Sequence, residues 1–281
     1  MRVLLVPNND NPRAVEAARM LAAVLPGDGH EPALSENDAA ACGLDALAVA
    51  PAAIGAPDLT VALGGDGTIL KAVHLLAGAD SPILGVNLGR LGFLSGANDG
   101  DVLAAVSATI TGRGREERRS TLRAAVRLGG RESGAHEALN EVFVGRGSGA
   151  RAVDLAVDVD GVRLARWVCD GVVIATPTGS TGYALSAGGP FVAPDVRGLL
   201  VVPVSPHSLK ARPVLIGEGA RVTVTFPDPA HAGSCVVVDG DVVPCRRSLE
   251  RVDIEVSATV VRLVRLDGHG FVATVRDAFL T

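Results

Sequence analysis

Two glycine-rich stretches hold the residues best able to do chemistry. The first, Gly64-Gly65-Asp66-Gly67-Thr68, follows the apolar run Leu59-Thr60-Val61-Ala62-Leu63 and precedes a helical pattern from Ile69 to Leu76. It reads as a strand, a tight turn and a helix start. Glycines let the backbone come close to a ligand, and the free N–H groups of a helix start attract an anion. Gly64, Gly65, Gly67 and Thr68 are therefore candidate phosphate contacts. Asp66 would repel that same anion, so its position asks for a task such as holding a metal or taking a proton from a hydroxyl. The second stretch, Thr176 to Pro190, follows Val172-Val173-Ile174-Ala175 and sets four hydroxyl residues and two glycines into its first seven positions. That density suits a ligand with phosphates or sugar hydroxyls. Tyr183, the one tyrosine of the chain, adds an aromatic ring. Between the two stretches lie Asn140-Glu141 and Cys169-Asp170-Gly171.

The elements that must position these residues fall into two textures. Over residues 1–98 strand and helix patterns alternate: Arg2 to Val6, a helix capped by Asn11-Pro12 and running from Ala14 to Leu25, an alanine-rich helical piece from Glu36 to Val49, the strand before Asp66, and the strand Pro82 to Asn87. This order predicts an α/β N-terminal domain with a parallel sheet, whose ligands lie at the carboxyl ends of the strands, where Asp66 and Asn87 stand. A helix from Asp101 to Ile110 follows, and Gly112 to Ser120, rich in arginine and glutamate, reads as an exposed connector. From Thr121 the chain becomes a series of short β-type runs, with Asp160-Gly161 and Asp239-Gly240 as hairpin turns. Residues 99–266 are accordingly expected to form a β-rich, largely antiparallel C-terminal domain. In the last segment, 267–281, Gly270 to Leu280 is expected to be helical and to pack back on the first domain.

The composition narrows the function. The 281 residues are 48% hydrophobic with a net charge of −5, which gives no blanket attraction to nucleic acid or to an anionic membrane. Lys71 and Lys210 are the only lysines, and no Gly-Lys pair occurs, so a P-loop is excluded. Cys42, Cys169, Cys235 and Cys245 lack C-x-x-C spacing and the six histidines are scattered, so the residues suggest no metal ligands and no disulfide framework. Gly145-Arg146-Gly147-Ser148-Gly149-Ala150 fits the loose dinucleotide fingerprint, but strand sequence follows it in place of a helix. With a strand at the start and no apolar stretch of spanning length, a cytoplasmic location is expected.

Taken together, Gly64-Gly65-Asp66-Gly67-Thr68, Asn140-Glu141, Asp170-Gly171 and the Thr176 to Pro190 stretch, in this order and spacing, resemble the bacterial NAD kinases (ATP or polyphosphate-NAD kinases). Asn87 to Leu94 and His207 to Pro213 are similar to further segments of that family. The resemblance runs from the first strand to about Leu266 and implies transfer of a phosphoryl group from ATP to the 2′-hydroxyl of the adenosine ribose of NAD, giving NADP. It makes Asp66 the proton acceptor and gives Gly67 and Lys71 to NAD. Asn140 and Glu141 hold the adenosine portion, and Asp170 with Thr181, Gly182, Tyr183, Ala184, Leu185 and Ser186 completes the pocket. It also implies Mg²⁺ and assembly into a homodimer or homotetramer, and it leaves open ATP against polyphosphate and NAD against NADH. Three positions depart from the family pattern: Gly182 where alanine is usual, Val168 where some members carry a basic residue, and Asp241 where some carry an amide. Lipid kinases share the first stretch, and a dinucleotide sensor without turnover is the other rival. Detectable NADP formation separates both from a kinase acting on NAD.

Overall fold

In the computed structural model, residues 1–280 are described except 90–91, 99, 149–150, 228–232, 246–247, 267 and 269. The chain forms two compact units, Met1–Arg119 with Val260–Thr281, and Ser120–Thr259. The division differs from the expected 98/99 and 266/267 boundaries. The helix after residue 100 counts with the first unit, and the chain returns to that unit from residue 260.

The first unit contains β1 (Arg2–Pro7), α1 (Pro12–Val24), β2 (Glu31–Ser35), α2 (Glu36–Cys42), β3 (Ala48–Val49), β4 (Leu59–Gly64), α3 (Asp66–Leu76), β5 (Pro82–Asn87), β6 (Ala97–Asn98) and α4 (Val102–Ile110). Its sheet runs β5-β4-β1-β2-β3. Residues Arg262–Val264 of the long strand Leu249–Arg265 lie beyond β5, and every pairing is parallel. Helices cover such a sheet on its faces, so the inner strands need apolar residues without alternation, and β4 is buried at all six positions. Asn11 caps α1 by accepting from Arg13 N with Pro12 in the first turn, a cap contributing about 1 kcal/mol. Ala14, Ala18 and Leu21 then pack on Val3, Leu5, Val61 and Leu63. The expected helix from Glu36 to Val49 is shorter, because Gly43 turns left-handed after Cys42 and a 3₁₀ turn leads into β3. No helix among the described residues is long and apolar enough to cross a membrane.

The expected connector from Gly112 to Ser120 is corrected from Arg115 onward, where a strand, β7 (Arg115–Leu128), begins. Its charges are compatible with a strand because Arg119, almost fully buried, pairs with Glu117 at 2.5 Å. There follow β8 (Arg131–Ala138), β9 (Glu141–Arg146), β10 (Val153–Val159), β11 (Val162–Cys169), β12 (Gly171–Ala175), α5 (Tyr183–Ser186), β13 (Gly198–Val204), β14 (Val214–Gly217), β15 (Arg221–Thr225), β16 (Ser234–Val238), β17 (Asp241–Val243) and β18 (Leu249–Arg265). In the second unit β14-β13-β12-β9-β16-β17 form one antiparallel sheet. The order β11-β10-β15-β18, also antiparallel, with β7 and β8 beyond, forms the other. Both hairpin turns form as expected, with positive φ at Asp160 and Gly161 and at Asp239 and Gly240.

A core between the two sheets takes Val142, Val172, Ile174 and Val236 from one and Leu155, Val157, Val222 and Val252 from the other. The alternate residues of β12, Val173 and Ala175, face a second core with Ala184, Val192 and Val202. Buried on both faces, β12 delivers its carboxyl end directly into the second glycine-rich stretch. In the last segment α6 (Phe271–Val275) is followed by a π-type turn, Arg276–Leu280, in place of one continuous helix. Its Phe279 stacks on Phe93 within the first unit, ring centroids 5.8 Å apart.

Candidate active site

The two glycine-rich stretches belong to different units and are built in different ways. In the first unit the carboxyl ends of β1, β4 and β5 supply Asn8, Gly64 and Asn87, as the parallel order requires. Gly65 is the N-cap of α3, and the first turn of the helix closes with Thr68 N donating to Gly65 O at 2.9 Å. The amides of Asp66 and Gly67 precede that bond, where a helix presents N–H groups to an anion. A Cβ on Gly65 or Gly67 would meet nothing within 4 Å, so the turn borders open space that a ligand can enter.

Asp66 is the first residue of α3. Its Oδ2 accepts from Phe93 N at 2.8 Å and its Oδ1 from Leu94 N at 3.1 Å. Gly92 permits this approach, since a Cβ there would overlap the Asp66 carboxylate. Charge-assisted hydrogen bonds of this kind stabilise by about 1.5–3 kcal/mol each. Arg90 and Leu91, part of the same family-like segment, lie outside the described residues. Lys71, expected to touch NAD, is tied within the protein: its Nζ donates to Pro7 O at 3.0 Å and to the fully buried Asp38, which also accepts from Ser35 and Asn9. A buried carboxylate must be paired, and Lys71 is the cation that serves it.

In the second unit Asp239, at the turn between β16 and β17, gathers the backbone that opens β9. Its carboxylate accepts from Leu139 N at 2.6 Å, Asn140 N at 2.8 Å and Glu141 N at 3.0 Å. Thr176 continues the frame, its Oγ1 donating to Leu139 O at 2.6 Å and accepting from Gly179 N at 3.0 Å. Gly179 packs against the Asn140 carbonyl with no room for a Cβ. Buried Ser180 donates to Pro177 O and accepts from Val192 N. The hydroxyls of Thr176 and Ser180 are thus structural, while Thr181 Oγ1 donates to Thr178 O at a longer 3.3 Å.

Asn140, Glu141 and residues 181–186 are brought together by this frame. Glu141 Oε2 is buried and has no hydrogen-bond partner, and a Cβ on Gly182 would sit 3.0 Å from it. Burial pushes the Glu141 carboxyl up to about 7. The charge of Asp239 adds to the shift, and a hydrogen bond from the Tyr183 amide opposes it. The Tyr183 ring is part exposed and tilts against Phe143, centroids 5.7 Å apart, which leaves much of it accessible to a base. Asp170 is held by Arg146 Nε at 2.7 Å. Among the described residues no three His, Cys, Asp or Glu side chains cluster as a metal site would need. Gly149 and Ala150 of the dinucleotide-like run lie outside the described residues, and the sequence after it forms the strand β10, as expected.

Sequence reasoning missed Asp239, Asp38 and the amides of Phe93 and Leu94. The Asp-Gly pair signals a turn but not what the carboxylate holds, and backbone amides leave no mark in residue types.

Residues 46–113 match the profile of the ATP-NAD kinase N-terminal domain and residues 139–266 that of the ATP-NAD kinase C-terminal domain. The chain is 36% identical over 282 residues to the NAD kinase of Symbiobacterium thermophilum, covering 97% of this chain and 96% of the relative. It is 37% identical over 286 residues to the NAD kinase of Thermobifida fusca, covering 96% and 86%. Among solved structures it is similar to yeast NADH kinase complexed with NADH, with TM-score 0.90 and 25% identity over 100% of this chain and 87% of that one. It is also similar to an NAD kinase from Archaeoglobus fulgidus in complex with ATP, with TM-score 0.72 and 27% identity over 95% and 94%. With both domain profiles matched and relatives aligned along nearly its whole length, the chain belongs to the NAD kinase family.

Proposed function

We infer that the protein phosphorylates NAD to NADP, with the 2′-hydroxyl of the adenosine ribose as acceptor and ATP as donor. The observation that carries the reading is Asp66, a carboxylate fixed by two backbone amides at the head of α3, beside a turn open to a ligand. The solved relatives hold NADH in one case and ATP in the other, which fits these two substrates.

A ribose hydroxyl is a poor nucleophile at neutral pH. In this mechanism Asp66 orients it and accepts its proton while the oxygen bonds to the terminal phosphorus of ATP and ADP departs. The amides of Asp66 and Gly67, with Thr68, receive phosphate oxygens at the helix start. Asn140 and Glu141 hold the adenosine portion, with Tyr183 stacking on a base and Asp170 and residues 181–186 around it. The divalent cation, Mg²⁺, would arrive on the phosphates of the donor and offset their charge.

A cytoplasmic location and assembly as a homodimer or homotetramer belong to the same proposal. The decisive experiment incubates purified protein with NAD, ATP and Mg²⁺ and follows NADP, with NADH and polyphosphate in parallel. Steady NADP formation is expected, and its absence from folded protein overturns the reading.

A further inference from the structure

The peptide of Phe93 is held from three sides within the first unit. Its N–H donates to Asp66 Oδ2 at 2.8 Å, and its carbonyl accepts from Arg265 Nη1 at 3.2 Å. Its ring stacks on Phe279, with 26° between the planes. The neighbouring backbone is pinned as well. Gly96 N donates to Gly85 O and Leu266 N to Gly96 O, both at 2.9 Å, and a Cβ on Gly96 would overlap the Val264 carbonyl. The end of β18 and the C-terminal turn thus form the backing of a short segment whose other side grips the Asp66 carboxylate.

We propose that Arg265 and Phe279 are positioning residues for Asp66, fixing the peptide whose amide sets the direction of the carboxylate. The proposal rests on Asp66 being the proton acceptor. A reacting group must lie within a few tenths of an ångström of its productive place, and a misplacement of about 1 Å can lower a rate by about a hundredfold. Arg265 is almost fully buried beside Glu117 and Arg119, so its replacement disturbs folding as well as position. Phe279 is 49% exposed in a terminal turn, and its removal opens no core.

The test uses the full chain with Phe279→Ala and Phe279→Tyr. It measures kcat and both KM values with NAD and MgATP, the melting temperature, and hydrogen exchange at amides 93 and 94 without substrate. Phe279→Ala is expected to lower kcat by about five- to twentyfold, a fraction of the hundredfold above. Both KM values should stay within about twofold, melting should be unchanged, and exchange at amides 93 and 94 should be faster. Phe279→Tyr should restore wild-type behaviour, because the ring survives. Wild-type exchange and kcat in the alanine variant overturn the proposal, as does a loss of rate that only follows a loss of melting temperature. If the wild type makes no NADP, the kinase reading fails, and the exchange measurement alone decides whether the backing holds the segment.

Discussion

At Asp66 two backbone amides occupy one lone pair on each carboxylate oxygen, which leaves acceptor capacity for a hydroxyl proton. Asp66→Asn keeps the size of the side chain but turns one oxygen into a donor facing an amide donor, and it removes the base. The rate of NADP formation should fall by about 10²–10⁴ while KM for NAD stays within a few fold. Retention of more than about a tenth of wild-type kcat would reduce Asp66 to a group that only places the substrate. Glu141 carries a different signature. Its carboxyl titrates near 7 in the folded protein against 4.5 as the ordinary value. Between those values the folded state binds more protons than the unfolded chain, so stability falls as pH rises from about 4.5 to about 7 and stays lower above. The difference is on the order of 3 kcal/mol. Glu141→Gln should remove that slope, leaving the variant close to wild type at pH 5 and more stable than wild type at pH 8. Parallel stability curves in urea melts at the two pH values would refute the buried, uncharged carboxyl. Asp66 was legible in the sequence as the turn between a strand and a helix, because an apolar run leads into its glycines and a helical pattern follows them. Asp239 was not, because its partners are backbone amides about a hundred residues away.

At the scale of elements, one turn governs another strand's beginning. The β16–β17 hairpin needs left-handed backbone at Asp239, which asparagine also tolerates, so Asp239→Asn preserves the turn and weakens only the threefold amide grip on residues 139–141. Melting should drop by an amount equivalent to about 1–3 kcal/mol, and KM for NAD should rise with kcat less affected, because Asn140 and Glu141 lose their fixed placement. Calorimetry with steady-state kinetics checks this, and an unchanged KM would detach the hairpin from the ligand site. The same scale separates what patterning reveals from what it hides. Unbroken apolar runs such as Leu59 to Leu63 and Val172 to Ala175 announced buried strands, and their following glycines announced the turns. β2 and β11 went unread because most of their early residues are solvent-facing or interrupted by proline, so no apolar period marks them. The first part of β7, Arg115 to Ser120, reads as a connector because its charges pair with one another inside the strand, an arrangement that residue types alone do not disclose.

For the molecule as a whole the open question is whether one copy suffices. β11 lies at the edge of its sheet, and along it Val162, Leu164 and Val168 are 72%, 36% and 46% exposed. An edge strand presents unpaired backbone groups, and natural proteins usually protect such edges with charges, prolines or a covering partner. Here Arg163 and Arg166 point charge at Asp158 and Asp154 on β10, while Val162, Leu164 and Val168 are left to solvent. Scattered single apolar residues need no explanation, but three exposed on one edge strand, whose backbone groups are themselves unpaired, suit contact with a second copy of the chain. We therefore expect the wild type to sediment as a homodimer or homotetramer whose β-rich units pair. The double variant Leu164→Asp, Val168→Asp should sediment as a monomer, with melting little changed because neither side chain is in a core. If the site depends on the partner, specific activity falls with dissociation, both in the variant and on dilution of the wild type. Sedimentation velocity across a concentration series, read beside NADP formation in the same samples, decides the matter. A wild type that is monomeric and fully active throughout removes this edge strand from any role in assembly.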